Sequence, residues 1–198
     1  TISSVTFTPS GGTAAALTEV GHVENEAGRL AAIYYLLAPP SGQAGTVTVT
    51  YSGSVAYGIV AGVANFAGVD QTTPLGTAAG AGAQNATPSV TFTGLTGNEL
   101  VFDTIFVGGS GTIQDPTAGD DQVKRWTAYA ANARGAASTE DANSATSVTM
   151  SWSIASTYWA LAAVPINPAP VGPTHNLNIA VEPAESGTTV PSAGTHTY

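Results

Sequence analysis

The groups in this chain that could do chemistry are few and mostly acidic. There are 13 Asp and Glu against 4 Lys and Arg, with 3 His and no Cys. Carboxylates can serve as general acids and bases, as calcium ligands or as buried structural acceptors. Glycoside hydrolysis makes the strictest demand, two carboxylates facing across a cleft about 5–9 Å apart. Glu24 and Glu26 would share a strand face by their spacing. However, Val23-Glu-Asn-Glu-Ala-Gly28 reads as a polar loop, and it lacks the alternation of acidic and bulky apolar residues that a glucanase strand needs.

Asp103 shares a strand face with Val101 and Ile105, which points to burial. A buried carboxylate needs hydrogen-bond donors, a cation or a proton. It could anchor a ligand-binding face. It could equally be a structural group that caps a loop or pairs with Arg125 or Arg29. Asp115, Asp120 and Asp121 cluster in Asp115-Pro-Thr-Ala-Gly-Asp-Asp121. Such a loop supplies the oxygens that calcium takes, although the spacing matches no EF-hand, and a solvated acidic loop is the competing reading. Trp126, beside Lys124 and Arg125 and near Tyr129, is the candidate for stacking on a sugar ring. Trp152 and Trp159 sit in strongly apolar runs and read as core.

Other chemistry finds no footing. His22, His175 and His196 are scattered, so neither a metal cluster nor a catalytic triad can be argued from them. The serines lie in no nucleophile elbow. The Ala/Gly-rich stretch 76–82 has no following Lys-Ser/Thr, so it is no phosphate loop. Without Cys there can be no disulfides, thiolate metal sites or thiol nucleophiles. A net charge of -9 leaves nothing to neutralise phosphates, which argues against nucleic acid and against anionic lipid. No segment reads as a signal peptide or a membrane-spanning helix, so the leader of an exported protein would lie upstream of Thr1.

The elements that must position these groups are strands. Thr46-Val-Thr-Val-Thr-Tyr51, Ser89-Val-Thr-Phe-Thr93 and Ser147-Val-Thr-Met-Ser-Trp152 alternate with period two, threonines outward and apolar residues inward. Four runs are apolar on both faces: Leu30 to Leu37, Tyr57 to Phe66, Glu99 to Phe106 and Tyr158 to Ile166. These are expected to be central strands. Gly58 and Gly62 fall on one face, where a neighbour can approach closely. Weaker strands are expected at residues 2–7 and 18–23. Gly, Pro, Ser and Asn break the runs, and no stretch has helical periodicity. The fold expected is an all-β antiparallel sandwich, jelly-roll or concanavalin-like, over residues 1–167. Val47, Val49, Tyr51, Phe92, Leu100, Phe102, Val148, Met150 and Trp152 should be buried. A Pro-rich linker at 168–175 leads to a strand-forming tail at 176–198, the start of a second β domain or a donor strand.

Val47-Thr-Val-Thr-Tyr51, Ala61-Gly-Val-Ala-Asn-Phe-Ala-Gly-Val-Asp-Gln-Thr-Thr-Pro-Leu75, Glu99-Leu-Val-Phe-Asp103, Arg125-Trp126, Ser138-Thr-Glu140, Val148-Thr-Met-Ser-Trp152 and Trp159-Ala-Leu-Ala-Ala-Val-Pro165 resemble a module of large exported bacterial proteins, similar to concanavalin-like or jelly-roll sandwiches. The resemblance covers residues 2–168 and implies no defined activity. It also implies that the module begins some strands earlier than Thr1. Residues 176–198 resemble the opening of an internalin-type repeat. The function expected is therefore a non-enzymatic, extracellular structural or adhesive module of a bacterial surface protein, able to form filaments by strand exchange between copies. A carbohydrate-binding module that takes polysaccharide is the alternative, and a glycoside hydrolase the third reading. No cofactor is required beyond the calcium considered above.

Overall fold

The structure is a computed structural model. It describes the chain except residues 27, 41, 56–57, 109–113, 173–175, 181–187, 189–191, 193 and 198. The described residues form fifteen strands and no helix. A sheet is built first from β1 (Ile2–Pro9), β2 (Ala15–Ala16) and β5 (Gly45–Tyr51), in the order β2-β1-β5. Between them β3 (Thr18–Asn25) and β4 (Arg29–Tyr35) make a hairpin. The central sheet takes β6 (Ala79–Asn85), β8 (Leu100–Gly108), β10 (Val123–Ala130), β11 (Ala133–Asp141) and β13 (Thr157–Ile166), in the order β10-β11-β8-β13-β6. A third sheet joins β7 (Ser89–Thr93), β9 (Thr117–Ala118) and β12 (Ser147–Ser153) in the order β7-β12-β9. In the tail, β14 (Asn176–Ile179) pairs with β15 (Gly194–Thr197). All pairings are antiparallel.

The central sheet is covered on both faces, so β13 is buried almost from end to end. On one face Ile105, Val107, Leu161 and Trp159 pack against Trp152 and Ile154, while Val101 and Ala163 pack against Phe92, Val148 and Met150. On the other face Ala160, Ala162 and Val164 pack against Ala31 and Ile33 of the hairpin. Burying one such Ile, Leu or Val fully stabilises the fold by about 1.5–3 kcal/mol. This is why β8 and β13 are apolar at successive positions, whereas β7 and β12 alternate. Outside, Thr91 and Thr149 face each other across β7 and β12 with their hydroxyls 2.8 Å apart.

The antiparallel β-sandwich and most strands follow the sequence expectation, and three details differ. Leu30 to Leu37 becomes β4, which pairs only with β3 and buries one face rather than two. Residues 58–66 form no strand. They lie on the face of the β10–β11 ribbon instead of in its plane, because Gly58 sits against the Ala130 carbonyl and Gly62 against the Trp126 ring, contacts that a Cβ would obstruct. The close approach expected at these two glycines is therefore real, but it is made face-on. Lastly, Phe92, Val148, Met150 and Trp152 are buried, whereas Val47, Val49, Tyr51, Leu100 and Phe102 are half-buried.

The Gly/Ala alternation of β6 has a packing cause. A Cβ on Gly80 would lie 2.2 Å from Val23 Cγ2 and 2.5 Å from the Leu161 carbonyl oxygen. Gly80→Ala is accordingly expected to destabilise the protein by about 1–3 kcal/mol in urea unfolding. Gly53→Ala, where a Cβ would meet nothing within 4 Å, should change stability by less than about 0.5 kcal/mol.

Candidate functional site

The strongest concentration of polar chemistry is the buried carboxylate of Asp103. Strand β8 points Asp103 into the same layer as Val101 and Ile105, where it is 0% exposed. Both oxygens are engaged. Oδ1 accepts from the Ser138 backbone N–H at 2.8 Å and from the Ser138 hydroxyl at 2.7 Å, and Oδ2 accepts from the Trp152 indole N–H at 2.7 Å. One side chain thus ties β8 to β11 within its sheet and to β12 in the facing sheet. The network continues outward. Gln122 Nε2 donates to the Ser138 hydroxyl at 2.7 Å, and Gln122 Oε1 accepts from the Ser151 N–H at 2.7 Å.

Burial pushes the Asp103 carboxyl up to about 6, although the bonds from Ser138 and Trp152 favour the charged form; the nearby Glu140 charge raises it further. Glu140 is itself raised, first by burial and then by Asp121. Glu99 behaves in the opposite way. Burial opposes its ionisation, but donors from Thr96 and Gly97 more than offset this and hold its pKa below the usual value. Its carboxylate collects the N–H groups of Thr96, Gly97 and Asn98 and the Thr96 hydroxyl at 2.9–3.1 Å, closing the loop before β8. The loop cap considered for Asp103 is thus supplied by Glu99. Neither arginine suggested as an Asp103 partner serves as one. Arg125 Nε donates to the Thr139 hydroxyl at 2.8 Å, and Arg29 Nε donates to the Gly108 carbonyl at 3.2 Å while its guanidinium stacks on Tyr158.

The three residues read as a ligand site are not brought together. Asp103 faces β12, and Trp126 faces the opposite way, under Gly62. Its indole N–H is buried with no hydrogen-bond partner among the described residues. Tyr129 follows three positions later on β10, with the register unbroken between them, so it points to the other face from Trp126. It is 72% exposed, and the Arg134 guanidinium stacks 4.5 Å from its ring centroid. Asp115 lies 3.2 Å from Arg134 Nε. Asp120 and Asp121 occupy the turn before β10, where Gln122 N–H donates to the Gly119 carbonyl. Among the described residues, no three His, Asp or Glu side chains gather in a way that could hold a metal. Glu24 is exposed on β3, and Glu26 lies in the following turn at φ 48°. His22 sits 2.5 Å from Glu19, which also accepts from the Tyr34 hydroxyl. His175 lies outside the described residues.

Sequence reasoning missed Ser138, Gln122 and Glu99. One available signal was Trp152 itself, since a buried indole N–H needs an acceptor and Asp103 was the one carboxylate expected on an inward strand face. Gln122 gave no such signal, because its position in a turn says nothing about where its amide points. Comparison with known proteins returns no matching family model, no matching curated protein and no matching solved structure. None of the described helices, there being none, is long and apolar enough to cross a membrane, which says nothing about strands.

Two pH effects follow from these carboxylates. The Asp103 pKa is raised on folding, so its contribution to stability is fully present below about 4, the unfolded value, and is lost as pH rises through about 6. The Glu99 pKa is lowered, so its contribution is present above its unfolded value and is lost as pH falls through its lower folded one. Melting temperature should therefore rise between pH 7 and 5 and fall again at lower pH. Asp103→Asn should flatten the first limb only. Asp103→Ala leaves the Trp152 and Ser138 donors buried without an acceptor and should cost about 2–5 kcal/mol in denaturant unfolding.

Proposed function

We propose that this chain is a non-enzymatic structural or adhesive β-module of an extracellular bacterial surface protein. The observation that carries this reading is the use made of Asp103. The most strongly perturbed carboxylate of the described residues is fully buried, with both oxygens spent on cross-linking three strands. Catalytic acids need a pKa shifted towards the working pH, but they also need reach to a substrate. Asp103 has the first without the second. Composition agrees with a scaffold role, since charged residues make up only 9% and the outward rows of β5, β7 and β12 are Thr and Ser. Such a surface is hydrated by hydroxyls and suits a spacer or a tile in a larger assembly.

A second reading, polysaccharide binding, has one specific support. Tyr129 presents an exposed ring, stacked from one side by Arg134, whose Nε lies within ion-pair distance of Asp115. Exposed aromatics of this kind stack on sugar faces.

Two measurements separate the readings. Glycoside and ester substrate panels should give background turnover only, and turnover abolished by Asp103→Asn or Glu140→Gln in a folded variant would overturn the structural reading. On a glycan array the chain should show no selective signal. A selective signal lost in Tyr129→Ala would establish the polysaccharide reading in its place.

A further inference from the structure

Residues 58–66 have the sequence of a strand and the environment of one on a single side only. Gly58, Val60, Gly62 and Phe66 face the central sheet, against Ala130, Gly135, Trp126 and Phe102. Ile59, Ala61, Val63 and Asn65 face outward and are exposed, Ile59 at 41% and Val63 at 69%. This is period-two alternation, the geometry of an extended chain. Yet no backbone N–H or C=O between Gly58 and Ala67 makes a hydrogen bond among the described residues. Backbone polar groups in protein structures are nearly always paired, and an extended run of open ones is a template for a further strand.

Sheet edges that must stay unpaired carry charges, prolines or bulges. The neighbouring edge strand β10 has such protection, with Lys124, Arg125 and an irregularity in its pairing between Lys124 and Trp126. From Ser52 to Val69 the chain has no charged residue and no proline. The open run is therefore unprotected as well as unpaired.

The tail shows the matching deficit. Among the described residues, strand β14 pairs with β15 alone, and the two contact chiefly each other. A lone two-stranded hairpin is marginal in water and needs a third strand or an apolar cover. The tail follows Val171, which is 92% exposed, and Leu177 of β14 is 51% exposed. Asn176–Ile179 is uncharged, so pairing it with residues 58–66 brings no like charges together in a chain of net charge -9. Among the described residues no main-chain hydrogen bond joins the open run to the hairpin, which leaves both available to another chain.

We propose that residues 58–66 are the acceptor for an added strand, and that the donor is β14 of a second copy of this chain. The main-chain bonds would satisfy both partners, and Leu177 and Ile179 would add apolar cover beside Ile59 and Val63. Donor and acceptor are different surfaces, so the contact is head-to-tail and propagates from copy to copy unless rotation closes a ring. This assembly gives a mechanism to the structural role proposed above and rests on it.

The test uses the whole chain. Sedimentation should show average mass at least doubling from micromolar to millimolar concentration. In the same samples the amides of residues 58–66 should exchange rapidly in the dilute monomer and become protected in the concentrated one. Ala61→Pro with Val63→Pro removes two N–H groups that are unbonded in the single chain, and it should weaken association about tenfold or more. Val63→Lys, which places a charge on an exposed outward position, should do the same with unchanged melting temperature if the proline variant folds poorly. Monomer at every concentration, association untouched by Val63→Lys, or protection of 58–66 already in the dilute monomer would each overturn the proposal. None of these outcomes bears on turnover, whose discovery would overturn the structural reading instead.

Discussion

Everything on the inner side of the central sheet is arranged around one charge-assisted contact, the carboxylate of Asp103 held by the Trp152 indole and by Ser138. Apolar packing between two sheets is strong but permissive, because Val, Ile and Met can slide past one another at small cost. A buried carboxylate is not permissive. If β12 shifted by one residue, Trp152 would rotate to the other face, and both the indole and the acid would be left unsatisfied. The polar contact thus fixes the register that the apolar contacts merely favour. The energy needed to bury Asp103, visible in its raised pKa, is the cost of that specificity.

The same contact divides the molecule chemically. On its side of the central sheet, polar atoms form one chain from Trp152 through Asp103, Ser138 and Gln122 to Ser151. On the other side the joints are single and local. Asn25 Nδ2 donates to the carbonyls of Ala83 and Trp159 where the hairpin meets the sheet, and glycines at 58, 62 and 80 let chains touch closely. One face is locked by hydrogen bonds and the other is fitted by shape.

How far these features could be read from the sequence depends on how local their causes are. The alternation in β5, β7 and β12 is a property of neighbouring residues, and it identified both the strands and the inward side of Trp152. Residues 58–66 have equally strong strand character, yet sequence pattern carries no information on whether a strand finds a lateral partner or lies across a sheet. The pairing of Trp126 with Tyr129 failed for a simpler reason. Proximity in sequence is not proximity in space here, because a separation of three on a strand sends side chains to opposite faces. The burial of Asp103 followed from the position of its strand face. Its partners did not, because Ser138 and Trp152 lie 35 and 49 residues away and only the folded topology brings them together.

The outward rows of Thr and Ser have a consequence for the medium in which the protein can work. Among the described residues charge pairs are few: Arg134–Asp115, half-buried on the arginine side, and His22–Glu19 at the surface, charged only when the imidazole is protonated. Dissolved ions weaken attraction between exposed charges, but they act far less on burial of apolar groups or on a carboxylate enclosed between sheets. A coat of hydroxyls offers ions few attractive pairs to weaken, while the net charge of -9 repels itself and salt relieves that repulsion. The fold should therefore hold or gain stability from dilute buffer to the salinity of seawater, where a surface held together by charge pairs would lose it.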